Sequence, residues 1–443
     1  MESQLNHTHD AAARSWVAAA NLDGTDFPIQ NLPLCVFRRQ GEGKAFRGGV
    51  AIGDQIVDLG ALSEATFPDE IDRAAISAGA QPVLNRLMEM GPNAWRSLRH
   101  TLFALLHEKA NDSMVSVVKD CLVPAIEAQF AVPAQIGDYT DYYTSIDHAT
   151  NIMKLFGFDG VGPNFRWIPL GYHGRASSID ISGTSFYRPV GQVLQSGRSE
   201  PTLKPSEKLD YELELAIYIG RGNVRGHAIS VDDAENHVFG IGLLNDWSSR
   251  DIQSWEMNPL GPFLSKSFAT TVSPWVVTFE ALAPFRTALR RSEGEPEGLP
   301  YLSSERNSSL GGVDIQLEVW MRSARQRAAQ LAATRLSTTS FRHQYWTIAQ
   351  MVSHHTINGC NLRAGDVLGS GTISGPGEGE AGALIELARN GANPVALTSG
   401  EERSFVQVGD EITLRGYCQK PGFARIGFGE SRGEVMSARV DVR

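Results

Sequence analysis

The sequence is poor in cysteine, in long apolar runs and in positive charge. Four cysteines, Cys35, Cys121, Cys360 and Cys418, are spread over 443 residues with no Cys-x-x-Cys pair. That spacing excludes a zinc knuckle or a dense disulfide framework and fits a reducing cytoplasm. No stretch approaches the ~20 consecutive apolar residues of a membrane-spanning helix, and residues 1–14 are polar, without the apolar segment of a secretory signal. Lys and Arg number 40 against 50 Asp and Glu, a formal net charge of -10. Such a chain repels nucleic acid and anionic lipid, and no local basic patch offsets the repulsion. The expected partner is a small molecule, with no nucleic acid and no membrane.

What is present describes a folded protein. Hydrophobic residues make up 42% and charged residues 20%, an ordinary globular balance. Glycine, at 44 residues, is about 10% of the chain against a norm of ~7%, which favours tight turns and strands. Residues 1–25 read as an extension, with a helical patch at Ala11–Ala20 that is expected to fray. Residues 26–130 begin as a small β unit with runs such as Leu34-Cys35-Val36-Phe37. Between Pro68 and Lys119 they change to helical spacing through Ile76, Leu84, Leu87, Met88, Trp95, Leu98, Leu102 and Leu105. Residues 131–443 read as one large mixed β domain, with strands at 211–219, 238–244, 313–321, 383–387 and 411–414, and an exposed loop at 290–312. The fold class is mainly β, of the α+β kind.

Chemistry concentrates in four segments. In Leu209–Tyr218, strand alternation sets Asp210, Glu212 and Glu214 on one face and Tyr211, Leu213 and Leu215 on the other. Carboxylates so placed repel unless a hard cation gathers them or water solvates them, so the segment leaves a metal site and a solvated sheet face both open. Val238–Asp246 is an apolar strand ending in an acid, with Ser248 or Ser249 as N-cap of the next helix. On that helix Arg250, Gln253 and Met257 share a face; the first two point at a reacting oxygen, or the helix is an ordinary surface one. Lys266, among Phe, Leu, Gly and small hydroxyl residues, either snorkels to water or is buried against an anion.

In Gly137–His148, a continuous helix would put Asp141 and His148 on one side, an acid for a metal and an imidazole to take a proton from water. A lone histidine is more often structural, so that reading also stays open. The glycine-rich Gly369–Gly377 lacks the Gly-Lys-Ser/Thr ending of a phosphate cradle and is followed by Glu378 and Glu380, which argues against nucleotide binding. His354 and His355 are adjacent and tend to point apart, which argues against paired metal ligation.

In their order, these segments resemble the fumarylacetoacetase family. The resembling runs are Asp26–Pro33, Ile136–Asp141, Gly171–Ser178, Asn245–Ser248, Pro259–Leu264, Asn358–Arg363 and Gly371–Gly375. The resemblance implies an SH3-like amino-terminal domain, a β-roll catalytic domain and a homodimer. It implies hydrolysis of a carbon–carbon bond in a 1,3-diketone acid, fumarylacetoacetate or a related acyl diketone, with Mg2+ or Ca2+. Carried over by position, Asp141, Glu212, Glu214 and Asp246 are ligands of that ion, with Lys266 and Thr270 around it. His148 is the general base and Glu386 the acid that orients it. Arg250, Gln253 and Lys266 stabilise an oxyanion, and Tyr143, Tyr172, Gln253, Met257 and Thr372 are substrate positions.

Two positions depart from the family pattern: Gly157 stands where the family usually has arginine, and Met257 where it usually has tyrosine. A hydrogen bond to a charged group is worth roughly 1.5 to 3 kcal/mol, so both losses imply a more apolar pocket and a diketone other than fumarylacetoacetate. Arg166 is the candidate to stand in for the missing arginine. Acylpyruvate hydrolases, decarboxylases and isomerases of the wider superfamily are the competing enzyme reading. A non-catalytic diketone-binding protein is a third, disfavoured because all four acids and His148 are retained.

Overall fold

The computed structural model describes residues 5–439. Leu34–Arg39, Arg47–Ile52 and Gln55–Asp58 form an antiparallel meander, flanked by Leu122–Pro124 on one edge and Ala128–Ala131 on the other. The apolar residues spaced for helix between 68 and 119 lie in Glu70–Gly79, Asn85–Glu89 and Pro92–Leu106, except Leu84 at the N-cap of the second, and Asp112–Asp120 follows. Asp69 and Asn111 cap two of these helices through side-chain oxygens that accept backbone N–H groups.

The rest of the chain builds two further large sheets. In the first, the spatial order is Leu170–His173, Tyr139–Tyr143, Val367–Gly369, Leu213–Ile219, Val238–Asp246, Thr270–Val272 and Ile179–Ile181, with Val277–Thr278 pairing beside Val238–Asp246. The second runs Thr334–Ser340, Gln316–Arg322, Glu411–Cys418, Ile426–Met436 and Ser185–Tyr187. Every residue of Leu213–Ile219 and Val238–Asp246 is buried, so both faces of the first sheet are covered. Leu213, Leu215, Ile217, Ile241 and Leu243 join Leu317, Leu414 and Phe428 of the second sheet in one core. Gly416 permits the close approach, because a Cβ there would stand 3.0 Å from both Leu243 and Leu317.

The opposite face positions the site. Tyr139, Ala216, Tyr218, Leu244, Val272 and Val367 pack into a second core with Val36, Leu59, Leu87 and Leu98 of the amino-terminal unit. Alternation then carries Asp141, Glu212, Glu214 and Asp246 onto this same face, at the end of the sheet. The face is apolar where the amino-terminal unit covers it and acidic beyond, and all four acids are buried. The solvated sheet face is therefore overturned.

Several local expectations are corrected. The stretch 11–20 is not a fraying helix: only Ala18–Asn21 forms a 3-10 turn, and Ala13, Val17 and Ala20 are buried. The cause is polar as well as apolar. Arg99 donates to the Gln30 and Asn31 carbonyls at 2.6 Å each and to Thr8 Oγ1 at 3.2 Å, while Trp16 Nε1 donates to the Leu105 carbonyl at 2.9 Å. Residues 384–387 form a helical turn instead of a strand, because the buried Asp210 carboxylate accepts from the Leu384 and Ile385 amides at 2.8 and 3.1 Å. The segment 290–312 is not simply an exposed loop, since it contains Pro300–Leu302 and Glu305–Leu310 and buries Leu302 and Asn307.

Among the described residues no carboxylate is in hydrogen-bond contact with Arg99, and burial pushes its pKa down to about 10. Its value to the fold lies in satisfying buried acceptors. Arg99→Ala is expected to cost about 3 kcal/mol, read as a lower urea midpoint with an unchanged m value.

Candidate active site

Asp141, Glu212, Glu214 and Asp246 each present one oxygen, and these four atoms all lie within 4.8 Å of one another. The backbone sets this convergence. Asp141 lies opposite Gly369 in a parallel pair, Glu214 opposite Leu244, and Asp246 opposite Thr270. The Asp246 amide donates to the Glu212 carbonyl at 3.2 Å. Gly369 leaves room, because a Cβ there would stand 2.9 Å from Glu214 Oε2.

Two buried cations balance part of the charge. Lys266 does not snorkel: its Nζ donates to Glu212 Oε2 at 2.5 Å and to Asp246 Oδ2 at 2.6 Å. Arg250 Nε donates to Asp210 Oδ2 at 3.0 Å, and its Nη1 lies 2.8 Å from Glu212 Oε1. Burial opposes the charge on Lys266, but Asp246 and Glu212 outweigh it and hold its pKa above the ordinary value. Glu212 is likewise penalised by burial, yet Lys266 and Arg250 hold its carboxyl below the usual range. Asp141 and Glu214 go the other way. Burial pushes both well up, and the neighbouring carboxylates, Asp246 first for Asp141 and Asp141 first for Glu214, push them further.

A hard cation fits this arrangement on its own terms. Asp141 Oδ1 and Glu214 Oε1 are buried without a hydrogen-bond partner. Buried polar atoms ordinarily have one, and four converging carboxylate oxygens are the donor set a Mg2+ or Ca2+ ion takes.

The base candidate lies beside this cluster. His148 Nδ1 is 2.7 Å from Glu386 Oε1, with both side chains buried, and His148 lies within electrostatic reach of Glu212. Asp141 and His148 do not share a helix. Tyr139–Tyr143 is strand, and helix begins at Ile146 after Ser145, whose Oγ accepts the His148 amide at 3.1 Å. Tyr143 packs edge-on against the imidazole with centroids 5.4 Å apart. Burial first, then Glu386 and Glu212, raise its phenol pKa, while Arg250 and Lys266 act against them.

The remaining predicted residues divide into interior and rim. Tyr172 lies opposite Asp141 in the antiparallel pair of Tyr139–Tyr143 with Leu170–His173. Thr270 Oγ1 is 3.5 Å from Asp246 Oδ1, and Thr372 is buried. Arg250 Nη1 donates to Gln253 Oε1 at 3.2 Å, so these two do share a face of Arg250–Glu256. Met257 follows at the helix end and is 44% exposed. Ser249 holds the N-cap position but makes no capping bond, because its hydroxyl is engaged with Ser206 Oγ at 2.8 Å and Asp251 Oδ1 at 3.0 Å. Gly157 has φ +81° with nothing within 4 Å of a built Cβ. Arg166 is held by Glu295, Nε to Oε2 2.7 Å.

Sequence reasoning did not single out Ser374, Asn151 or Ser145, and it placed Asp210 with the other acids without seeing its task. Asp210 joins Arg250 to the turn that carries Glu386. The strand break between Leu209–Asp210 and Leu213–Ile219 separates it from the converging carboxylates.

The profile described as Fumarylacetoacetase N-terminal matches residues 30–133, and that described as Fumarylacetoacetate (FAA) hydrolase C-terminal matches residues 139–436. A fumarylacetoacetase of Oryza sativa subsp. japonica is 44% identical over 431 residues, 96% of this chain and 97% of its own. One of Homo sapiens is 42% identical over 421 residues, 94% of this chain and 97% of its own. Among solved structures, a fumarylacetoacetate hydrolase from psychrophilic Exiguobacterium antarcticum covers 92% of this chain and 100% of its own, with TM-score 0.49 and 16% identity.

The raised carboxyl pKa values of Asp141 and Glu214 make protons compete with a cation for the same oxygens. Mg2+ or Ca2+ at about 100 times Kd is expected to stabilise the fold by about 2.7 kcal/mol, read as a rise in Tm that grows with pH. Glu214→Gln should shrink that rise at every pH.

Proposed function

The chain belongs to the fumarylacetoacetase family and is a hydrolase of carbon–carbon bonds, and on that premise we propose that it cleaves fumarylacetoacetate to fumarate and acetoacetate, with His148 as the base that activates water. The observation that carries this reading is the buried His148–Glu386 hydrogen bond of 2.7 Å beside a four-carboxylate cluster.

Asp141, Glu212, Glu214 and Asp246 would hold the ion, Mg2+ or Ca2+. When bound, it supplies Lewis acidity to the diketone oxygens. His148 Nε2 takes a proton from water while Nδ1–H stays on Glu386, and the hydroxide adds to the carbonyl carbon beside the alkene. Lys266 commits two N–H groups to Glu212 and Asp246 and keeps a third for the oxyanion. Gln253 turns its carbonyl to Arg250, which leaves its amide N–H groups to donate to substrate. Arg250, fixed between Asp210 and Glu212, adds positive potential.

The carbon–carbon bond then breaks, and its electron pair moves onto the carbon between the two carbonyls. The charge spreads to the neighbouring carbonyl oxygen and is quenched by the proton from His148. The fumaryl carbon leaves as a carboxylic acid, and the other fragment is acetoacetate. Tyr143, Tyr172 and Thr372 are the polar substrate positions, with Met257 and Thr270 at the edges of the substrate and metal positions. A redirected substrate is not favoured, because relatives this similar over this much of the chain carry the fumarylacetoacetase name.

The same proposal includes an SH3-like amino-terminal domain at 26–130, a β-roll catalytic domain at 131–443, a homodimer and a cytoplasmic setting. The five-stranded antiparallel sheet supports the first. Leu260, Phe263 and Leu264, at least half exposed, support a subunit contact. Cysteines free of disulfide bonds support the setting.

Loss of diketone absorbance tests the activity. Fumarylacetoacetate with Mg2+ should be cleaved with kcat/KM above ~10⁴ M⁻¹s⁻¹, and chelator should abolish turnover. His148→Ala should lower kcat by about 10²- to 10⁴-fold while keeping the metal-induced rise in Tm. Undiminished turnover by His148→Ala would remove His148 from the chemistry.

A further inference from the structure

The glycine-rich run 369–377 holds two carboxylates. The Gly371 amide donates to Glu214 Oε2 at 3.0 Å, and three residues later Ser374 Oγ lies 2.8 and 3.1 Å from the two oxygens of Glu386. Gly371 has φ +74°, and a Cβ there would stand 2.2 Å from the Tyr142 carbonyl. Only glycine fits that approach.

Ser374 grips both halves of the His148–Glu386 pair. Its oxygen accepts the Gly382 amide at 2.9 Å, which directs its single hydroxyl proton to Glu386. Its carbonyl accepts from Ser145 Oγ at 3.0 Å, and that same Oγ accepts the His148 amide at 3.1 Å. Asn151, one helical turn beyond His148, donates Nδ2 to Glu386 Oε2 at 2.8 Å. Two donors besides the imidazole therefore converge on Glu386. A carboxylate that accepts from Ser374, Asn151 and the imidazole together places the imidazole proton on His148 Nδ1. The lone pair is then on Nε2.

We propose that Ser374, assisted by Asn151, is a positioning residue that locks Glu386 in one orientation and so holds His148 as the Nδ1–H tautomer with a free Nε2. The proposal rests on the reading of His148 as the base. Removing the Ser374 hydroxyl frees the carboxylate to rotate and lets the two tautomers mix. The expected signature is a loss in kcat without a matching change in KM.

Histidine-nitrogen NMR on the full-length protein, with the His148 signals assigned by difference from His148→Gln, reads the tautomer without turnover. The wild type should show protonated Nδ1 and unprotonated Nε2, and Ser374→Ala a mixture at the same pH. Ser374→Ala should lower kcat by at least ~10-fold with KM within ~2-fold and keep the Mg2+-induced rise in Tm. A wild-type tautomer with kcat within ~2-fold overturns the proposal, as does a loss of kcat accompanied by loss of the Mg2+ effect. Should Ser374→Ala not fold, Asn151→Ala, truncating a part-buried side chain, faces the same tests. If His148→Ala keeps full activity the base reading fails, whereas the tautomer measurement still judges the role of Ser374.

Discussion

Four carboxylates buried on one face of one sheet are the constraint around which this protein is arranged. An isolated buried carboxylate costs several kcal/mol and evades that cost by neutralising. Here the acids are too close for each to be isolated, so the surroundings must supply charge and donors. Lys266 bridges Glu212 and Asp246, the Gly371 amide meets Glu214, and Tyr172 stands opposite Asp141 on the neighbouring strand. Two oxygens are still left over, on Asp141 and Glu214. Buried oxygens so arranged could hold a cation, and the fold bears the cost of keeping them together.

The same constraint explains why the amino-terminal unit is more than an appendage. A strand buried on both faces needs two covers. The second sheet covers one side, and the amino-terminal helices and meander cover the apolar part of the other. Asp141, Glu212, Glu214 and Asp246 continue that second face, so the unit that packs on Ala216 and Tyr218 also borders the site. Asp210 extends the connection, joining Arg250 on one side to the turn bearing Glu386 on the other. The carboxylate cluster, its buried cations and the His148–Glu386 pair are thereby tied to one another by buried charge.

What was legible in the sequence was local. Alternation placed Asp210, Glu212 and Glu214 on one face; Glu212 and Glu214 join the cluster and Asp210 does not, while the apolar run ending in Asp246 is a strand end, as expected. The pairing of His148 with Glu386 spans 238 residues, and no local pattern encodes it; only the family resemblance named Glu386. The helix expected through Asp141 and His148 failed because Ser145 caps a helix that starts after the strand. The strand expected at 383–387 failed because Asp210, distant in sequence, supplies acceptors to that turn. The first miss came from a local cap and the second from a long-range polar contact overriding local preference, as expected where a site is assembled from separate segments.

Gly157 and Met257 show the other side of this arrangement. Every residue within the charge network is buried and has several partners, so a change there propagates to the metal oxygens or to His148. Gly157 instead has open space around its Cβ position, and Met257 is 44% exposed beyond the last turn of its helix. Neither position supports the acids, Lys266 or Glu386 through any bond in the structure. Substitution at either position therefore leaves the carboxylate cluster and its counter-charges in place, because these fix the interior independently of it.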